Sequence, residues 1–218
     1  SMALQRICDP MLPELSRVFE VPISEASQVI SLFALTYGLM QLFYGPVGDR
    51  FGKYRVVMLA TIGCSVGCTL SALSSDLSFL VAARVGTALT AAAIIPLSLA
   101  WVGDVVHYEQ RQETLARVGL GTMLGITAGQ LFGGLLTDTL GWRWAFVLMA
   151  ATFATVSFLL WQQLKHLEPV ARHAHAPAGF FRQLKQVAGD AWARTLLGIA
   201  LVEGAMIFGL LAVTASHL

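Results

Sequence analysis

Four ionisable residues occupy apolar stretches where charge is costly. Arg6 and Asp9 stand three apart near the start of the chain, Arg84 lies between long uncharged runs, and Glu203 sits in a further one beside Gly204. A charged side chain at bilayer depth costs at least ~2.5–3.5 kcal/mol on insertion scales, so each of the four is a functional candidate. The chemistry open to them is the handling of protons and charge. Protonation of Asp9 would release Arg84 from a carboxylate contact, and a substrate or proton could then compete for the site. The alternative is a purely structural Arg6–Asp9 pair near the surface. Glu203 either carries a proton or bonds a neighbouring helix. Tyr37, Gln41 and Tyr44 fall on one helical face by their four- and seven-residue spacing. They line a central cavity or make interhelical hydrogen bonds.

Other chemistries find little footing. Cys8, Cys64 and Cys68 form no CxxC motif and read as small membrane-buried residues, with Cys64 and Cys68 beside the small-xxx-small pair Gly63 and Gly67. His166, His173 and His175 have no acidic or cysteine partner at ligand spacing, so they read as a solvated loop and no metal is expected. HExxH and nucleotide-binding glycine loops are missing from the sequence, which disfavours an enzyme or a primary pump and implies no cofactor. A net charge of +1 gives no support to nucleic-acid binding.

The elements that must position these residues are membrane spans. Hydrophobic residues make up 56% of the 218, charged residues 12%, and mean hydropathy is +0.68. A soluble domain carries about 25% charged residues, so the class is an integral membrane protein, all-α and polytopic. About 20 apolar residues cross the hydrocarbon core, and six runs qualify: 26–48, 56–75, 77–103, 115–137, 144–164 and 195–217. Residues 2–18, with Pro10 and Pro13, read as the second half of a first helix, and both ends of the chain as cuts in a longer protein. Arg84 then lies ~10 Å below the surface at helical rise, in the same half of the membrane as Asp9.

Orientation follows from the basic residues. Arg50, Lys53, Arg55, Arg111, Arg117, Lys165, Arg172, Arg182, Lys185 and Arg194 fall on one side and only Arg17 and Arg143 on the other, so the first side is cytoplasmic by the positive-inside rule. The sequence thus divides into a bundle over 1–164, a cytoplasmic linker over 165–194 whose second half is amphipathic, and a further span over 195–218.

The turn between the second and third spans carries Gly45, Asp49, Arg50, Gly52, Lys53 and Arg55. It resembles the loop signature G-x-x-x-D-R-x-G-x-[RK]-[RK] of the major facilitator superfamily, with Tyr54 at one usually basic position. Gly45 would let helices approach closely, Gly48 and Gly52 would make the turn, and Asp49 would cap the next helix. A glycine ladder, Gly121, Gly125, Gly129 and Gly133 with Gly134 beside it, is similar to that family's antiporter motif, with Gln130 in place of proline. Leu80 and Arg84 fit its helix 4 motif. Gly141, Trp142, Arg143 and Trp144 fit the turn entering helix 6, where both tryptophans would anchor the interface.

The resemblance implies the N-terminal six-helix bundle of the major facilitator fold, its first helix truncated, plus one helix of the second bundle. It implies a secondary transporter of a small organic molecule in a plasma (inner) membrane of bacterial type, by proton-coupled efflux with alternating access. The lipid bilayer, protons, the substrate and the missing C-terminal bundle would be its partners. A non-transporting fragment or assembly partner is the alternative. Asp49, Arg50 and Asp104 would latch one state, while Asp9, Arg84, Glu203, Arg6, Tyr37 and Gln41 would serve coupling or the substrate cavity.

Overall fold

The computed structural model describes residues 1–164 and, beyond them, 189, 190, 192, 194, 195, 198, 199 and 202. The chain divides into two compact units, Ser1–Glu168 and Pro169–Leu218. Glu203 and nearly all of the 165–194 linker lie outside the described residues.

The described part of the first unit is built from nine helices: α1 (Met2–Arg6), α2 (Leu12–Val18), α3 (Ile23–Ala26), α4 (Gln28–Phe51), α5 (Lys53–Ala72), α6 (Leu77–Ala91), α7 (Ile94–Val105), α8 (Tyr108–Thr139) and α9 (Trp142–Leu164). By length and apolarity they make five candidate spans: Ile23–Phe51, Lys53–Ala72, Leu77–Val105, Tyr108–Thr139 and Trp142–Leu164. Five of the six runs read from the sequence are these same spans, with ends displaced by up to seven residues, and most of the sixth, 195–217, lies outside the described residues. Helices outlast the apolar run because their charged end turns are solvated beyond the hydrocarbon; α8 begins seven residues before 115 and takes in Arg111, Glu113 and Arg117.

Prolines set the breaks. Pro10 has no N–H to offer the Arg6 carbonyl, so the first segment leaves the α-helical pattern there, with tight bonds from Asp9 N to Arg6 O and from Met11 N to Cys8 O. Pro96 likewise removes the bond to Ala92 O, and the 77–105 span divides at Ala92 and Ala93. Asp76 opens α6 by accepting from Phe79 N at 2.8 Å, an N-cap that satisfies an orphan donor.

Helix α5 is central, packing on α9, α6, α7 and α4, while α4 also packs on α6 and α1 on α8. Gly63 and Gly67 make the α5–α6 approach: a Cβ on either would collide with Thr90 or Thr87. The core joins Leu4, Cys8, Phe33, Cys64, Leu80 and Phe146 from five parts of the chain. At the end of the bundle that carries Asp76, Arg143 Nη2 donates to Ser74 O at 2.9 Å and lies over the Trp142 ring. Trp142 is buried between Phe19 and Phe146, so of the two tryptophans only Trp144 is exposed. The expected pair of interfacial anchors is corrected to one.

The turn after α4 is also tighter than its sequence suggests. Gly52 is the only residue between α4 and α5, at φ 90 and ψ 121. Gly48 belongs to α4 and is the close-packing residue, since a Cβ there would strike Leu97, whereas Gly45 faces open space. The close-packing role assigned to Gly45 therefore belongs to Gly48, and Gly52 alone makes the turn. Asp49 does not cap α5, whose N-cap is Gly52 without a side-chain bond. Gly52→Ala is expected to cost about 1–2 kcal/mol, the penalty of a Cβ at positive φ, read as a fall in thermal midpoint by scanning fluorimetry. Gly45→Ala is expected to leave the midpoint unchanged.

Candidate functional site

Arg84 is the centre of the site. It lies seven residues into α6, is 1% exposed, and is the largest fully buried side chain described. Its Nη1 donates to Leu4 O at 2.9 Å. That carbonyl is available because the first segment runs beside α6 and begins to unwind just after it. The guanidinium carbon stands 4.0 Å from the Phe33 ring centroid and 5.9 Å from that of Phe146. Nε and Nη2 are buried with no hydrogen-bond partner. An isolated buried cation loses several kcal/mol of hydration; one carbonyl and two ring faces return part of it.

Asp9 is not the partner that the sequence suggests. Its carboxylate accepts from Arg6 Nη1 at 3.2 Å, and both side chains keep about a quarter of their exposure (28% and 26%). Arg6 and Asp9 are thus brought together as the structural alternative anticipated, while Arg84 keeps apart from the carboxylate. Cys8, one residue before Asp9, is fully buried, and both the Arg84 and the Asp9 charge act on it.

The α4 face divides three ways. Tyr37 is buried and stacked on Phe33, with centroids 6.0 Å apart; Gln41 is exposed; and the Tyr44 hydroxyl donates to the Leu89 carbonyl. Tyr44 therefore makes the interhelical bond that was one of its two expected uses.

Half of the glycine ladder is a backbone seam. A Cβ on Gly129 would stand 2.7 Å from Ala3 Cα, and one on Gly133 would collide with Ile7 O. Gly125 and Gly134 come within ordinary contact of Ala3 and Pro10, while Gly121 meets nothing. Ile7 O is a carbonyl that the break at Pro10 has bypassed, because Met11 N turns to Cys8 O instead. Gly133 then presents its Cα–H to that oxygen, a weak contact common at helix crossings. The seam thus supports the broken segment that holds Asp9. Gly129→Ala and Gly133→Ala are each expected to cost about 1–3 kcal/mol by overpacking. Gly121→Ala, in open space, is expected to be neutral or to raise the thermal midpoint slightly.

At the opposite end of the bundle, Asp104 is reached by Lys53. The Nζ–Oδ2 distance is 2.6 Å, with Asp49 Oδ1 3.8 Å from the same ammonium. Arg50 instead lies over the Phe51 ring and makes no ion pair among the described residues. The expected Arg50–Asp104 link is therefore corrected to Lys53–Asp104. The reason is geometric: α4 continues through Arg50 as a helix, and α5, which packs on α7, begins with Lys53. Arg55 is exposed on α5. Lys53 was within the recognised turn, and its position four residues after Asp49 was the available signal. Phe33 and the Leu4 carbonyl were missed; the one faint sign was Phe33 standing a helical turn before Tyr37.

A groove of about 360 Å³ on the α5–α6 surface is lined by Gly63, Gly67, Gly86 and the apolar side chains between them, and no charged residue lines it. Among the described residues, no group of His, Cys, Asp and Glu is arranged to hold a metal ion.

Comparison with known proteins gives a consistent result. The sequence profile of the Major Facilitator Superfamily matches residues 1–217. The chain is 28% identical over 180 residues to a triacylglyceride transporter of Mycobacteroides abscessus, covering 83% of this chain and 34% of that one. It is 24% identical to multidrug resistance protein D of Escherichia coli K12, over 76% of this chain and 42% of that one. It is 27% identical to the quinolone resistance protein NorB of Staphylococcus aureus JH9, over 69% and 32%. Among solved structures, the POT family transporter PepTSo superposes with a TM-score of 0.64 at 20% identity, over 85% of this chain and 40% of that one. The chain spans between about a third and two fifths of the length of these relatives.

Proposed function

The chain belongs to the Major Facilitator Superfamily, and from that premise we propose that it forms the N-terminal bundle of a secondary active transporter that moves a small organic molecule by proton-coupled efflux. Its fold is all-α and membrane-spanning, with the major facilitator architecture. In this reading residues 1–164 are the first bundle, 165–194 a cytoplasmic linker and 195–218 the first helix of a second bundle, in an inner membrane. Substrate then sits near the midplane between bundles, and transport is rocking of one against the other.

The observation that carries the proposal is Arg84, a buried cation with two unpartnered nitrogens beside a segment that holds a half-buried carboxylate. A cation so placed in an apolar bundle is unfavourable unless another state supplies its partner. Asp9 released from Arg6 is the partner proposed. Proton binding to Asp9 frees Arg84, and proton loss recaptures it, so that proton and substrate occupy the site in turn. Efflux is favoured by the drug-resistance names of two relatives. The Asp49–Lys53–Asp104 cluster is proposed as the latch that holds the outward-facing state, with Gly52 making its turn, Gly45 and Arg50 on the helix before it and Arg55 on the helix after it. Glu203 remains proposed as a second proton carrier or a packing residue.

The test belongs on the complete protein in proteoliposomes. An imposed proton gradient is expected to drive substrate movement, and Asp9→Asn to lower the gradient-driven rate roughly tenfold or more while insertion is retained. Gradient-independent transport by the unmodified protein would sink proton coupling. For the latch, Lys53→Gln and Asp49→Asn are expected to shift the inward-to-outward ratio roughly two- to fivefold, the equivalent of a partly exposed ion pair. Spin-label distances report that ratio, and an unchanged ratio together with unchanged transport for Asp49→Asn removes the latch.

A further inference from the structure

The geometry points to Phe33 as a positioning residue: its ring face holds the Arg84 guanidinium away from Asp9 and thereby sets the pH at which the carboxylate recaptures it. This rests on the Asp9–Arg84 exchange proposed above. Phe33 is 1% exposed and lies on α4, and its ring centroid is 4.0 Å from the guanidinium carbon. Its ring is stacked on Tyr37 of the same helix at an interplanar angle of 16°. A desolvated cation over an aromatic face gains more than one in water, and among the described residues the one hydrogen bond in competition is that to Leu4 O. The guanidinium is therefore parked on a surface that attracts it without neutralising it.

Among the described residues, the groups around the guanidinium are thiols, rings, one ion pair and one amino group. The Arg84 charge acts on Cys8 of the first segment and Cys68 of α5, and the Ser1 amino group acts on Cys64 and Cys68; Asp9 and Arg6 are paired with each other, α4 gives Phe33 stacked on Tyr37, and α9 gives Phe146. Thiols and phenols ordinarily titrate above pH 8. Asp9 is the carboxylate whose proton the ring contact can influence. Weakening the contact frees Arg84 for ionised Asp9, favours the deprotonated form, and moves the transport midpoint to lower pH.

Two measurements on the complete protein test this. The first is a double-mutant cycle on thermal stability in detergent. Phe33→Leu is expected to lower the midpoint by about 2–4 °C more in the unmodified protein than in an Arg84→Met background; equal losses overturn the proposal, since packing alone is then at stake. The second is the pH of half-maximal transport. Phe33→Leu is expected to move it about 0.5–1 unit lower, with Phe33→Tyr, which keeps the ring, restoring it. Phe146→Leu removes a similar buried ring whose centroid is 5.9 Å from the guanidinium and is expected to move it less. An equal shift for Phe33→Leu and Phe146→Leu, or none for Phe33→Leu, overturns the positioning role while leaving the exchange intact. The exchange fails on a separate readout: if Asp9→Asn keeps the original pH profile, it falls and takes the positioning role with it.

Discussion

The burial of one guanidinium organises this bundle. Arg84 is enclosed by the first segment, α4 and α9, and each contributes what its local structure has to spare. The first segment gives a backbone carbonyl, and α4 and α9 give ring faces. None of these removes the charge. In the low dielectric of a membrane interior an unneutralised cation is a standing demand for an anion, and the proposed exchange with Asp9 would meet it. The proline break at Pro10 brings the candidate anion within a few residues of backbone, and the Gly129–Gly133 seam keeps the broken segment from collapsing.

The latch at the other end follows a related rule. Lys53 is the first residue of α5, where the positive helix end disfavours a cation, and Asp104 is in the last turn of α7, where the negative end disfavours an anion. Each charge is badly placed for its own helix, and pairing them offsets both penalties. Arg50, in the last turn of α4, is well placed for its helix and needs no such partner. A pair whose members are individually unfavourable, and which keeps 21% and 46% side-chain exposure, suits the proposed latch.

The spans were legible in the sequence because exclusion of charge over some twenty residues has one physical meaning, and the family because the turn and the ladder put glycines at fixed intervals. Finer assignments depended on information that sequence spacing does not carry. Gly45 and Gly48 look equivalent until helix phase decides which one faces α7. Arg50 and Lys53 are both basic, and only the abruptness of the turn decides which reaches Asp104. The partners of Arg84 were hardest to read. A cation suggests a carboxylate, but Leu4 contributes only its backbone, and a ring face leaves no charge pattern to find. Trp142 shows the same limit in reverse, since an aromatic at a span's edge reads as an anchor whether its ring turns outward or into the core.

Gly52 has a mechanical meaning as well as a steric one. Two helices joined through a single residue share only its two torsions, φ and ψ, as free variables between them. Any tilt of α4 is therefore either absorbed in that one pair of angles or passed directly to α5 and, through its contacts, to α6, α7 and α9. A longer loop would act as slack and dissipate small motions. A joint this short leaves the α4–α5 hairpin no slack beyond those two angles.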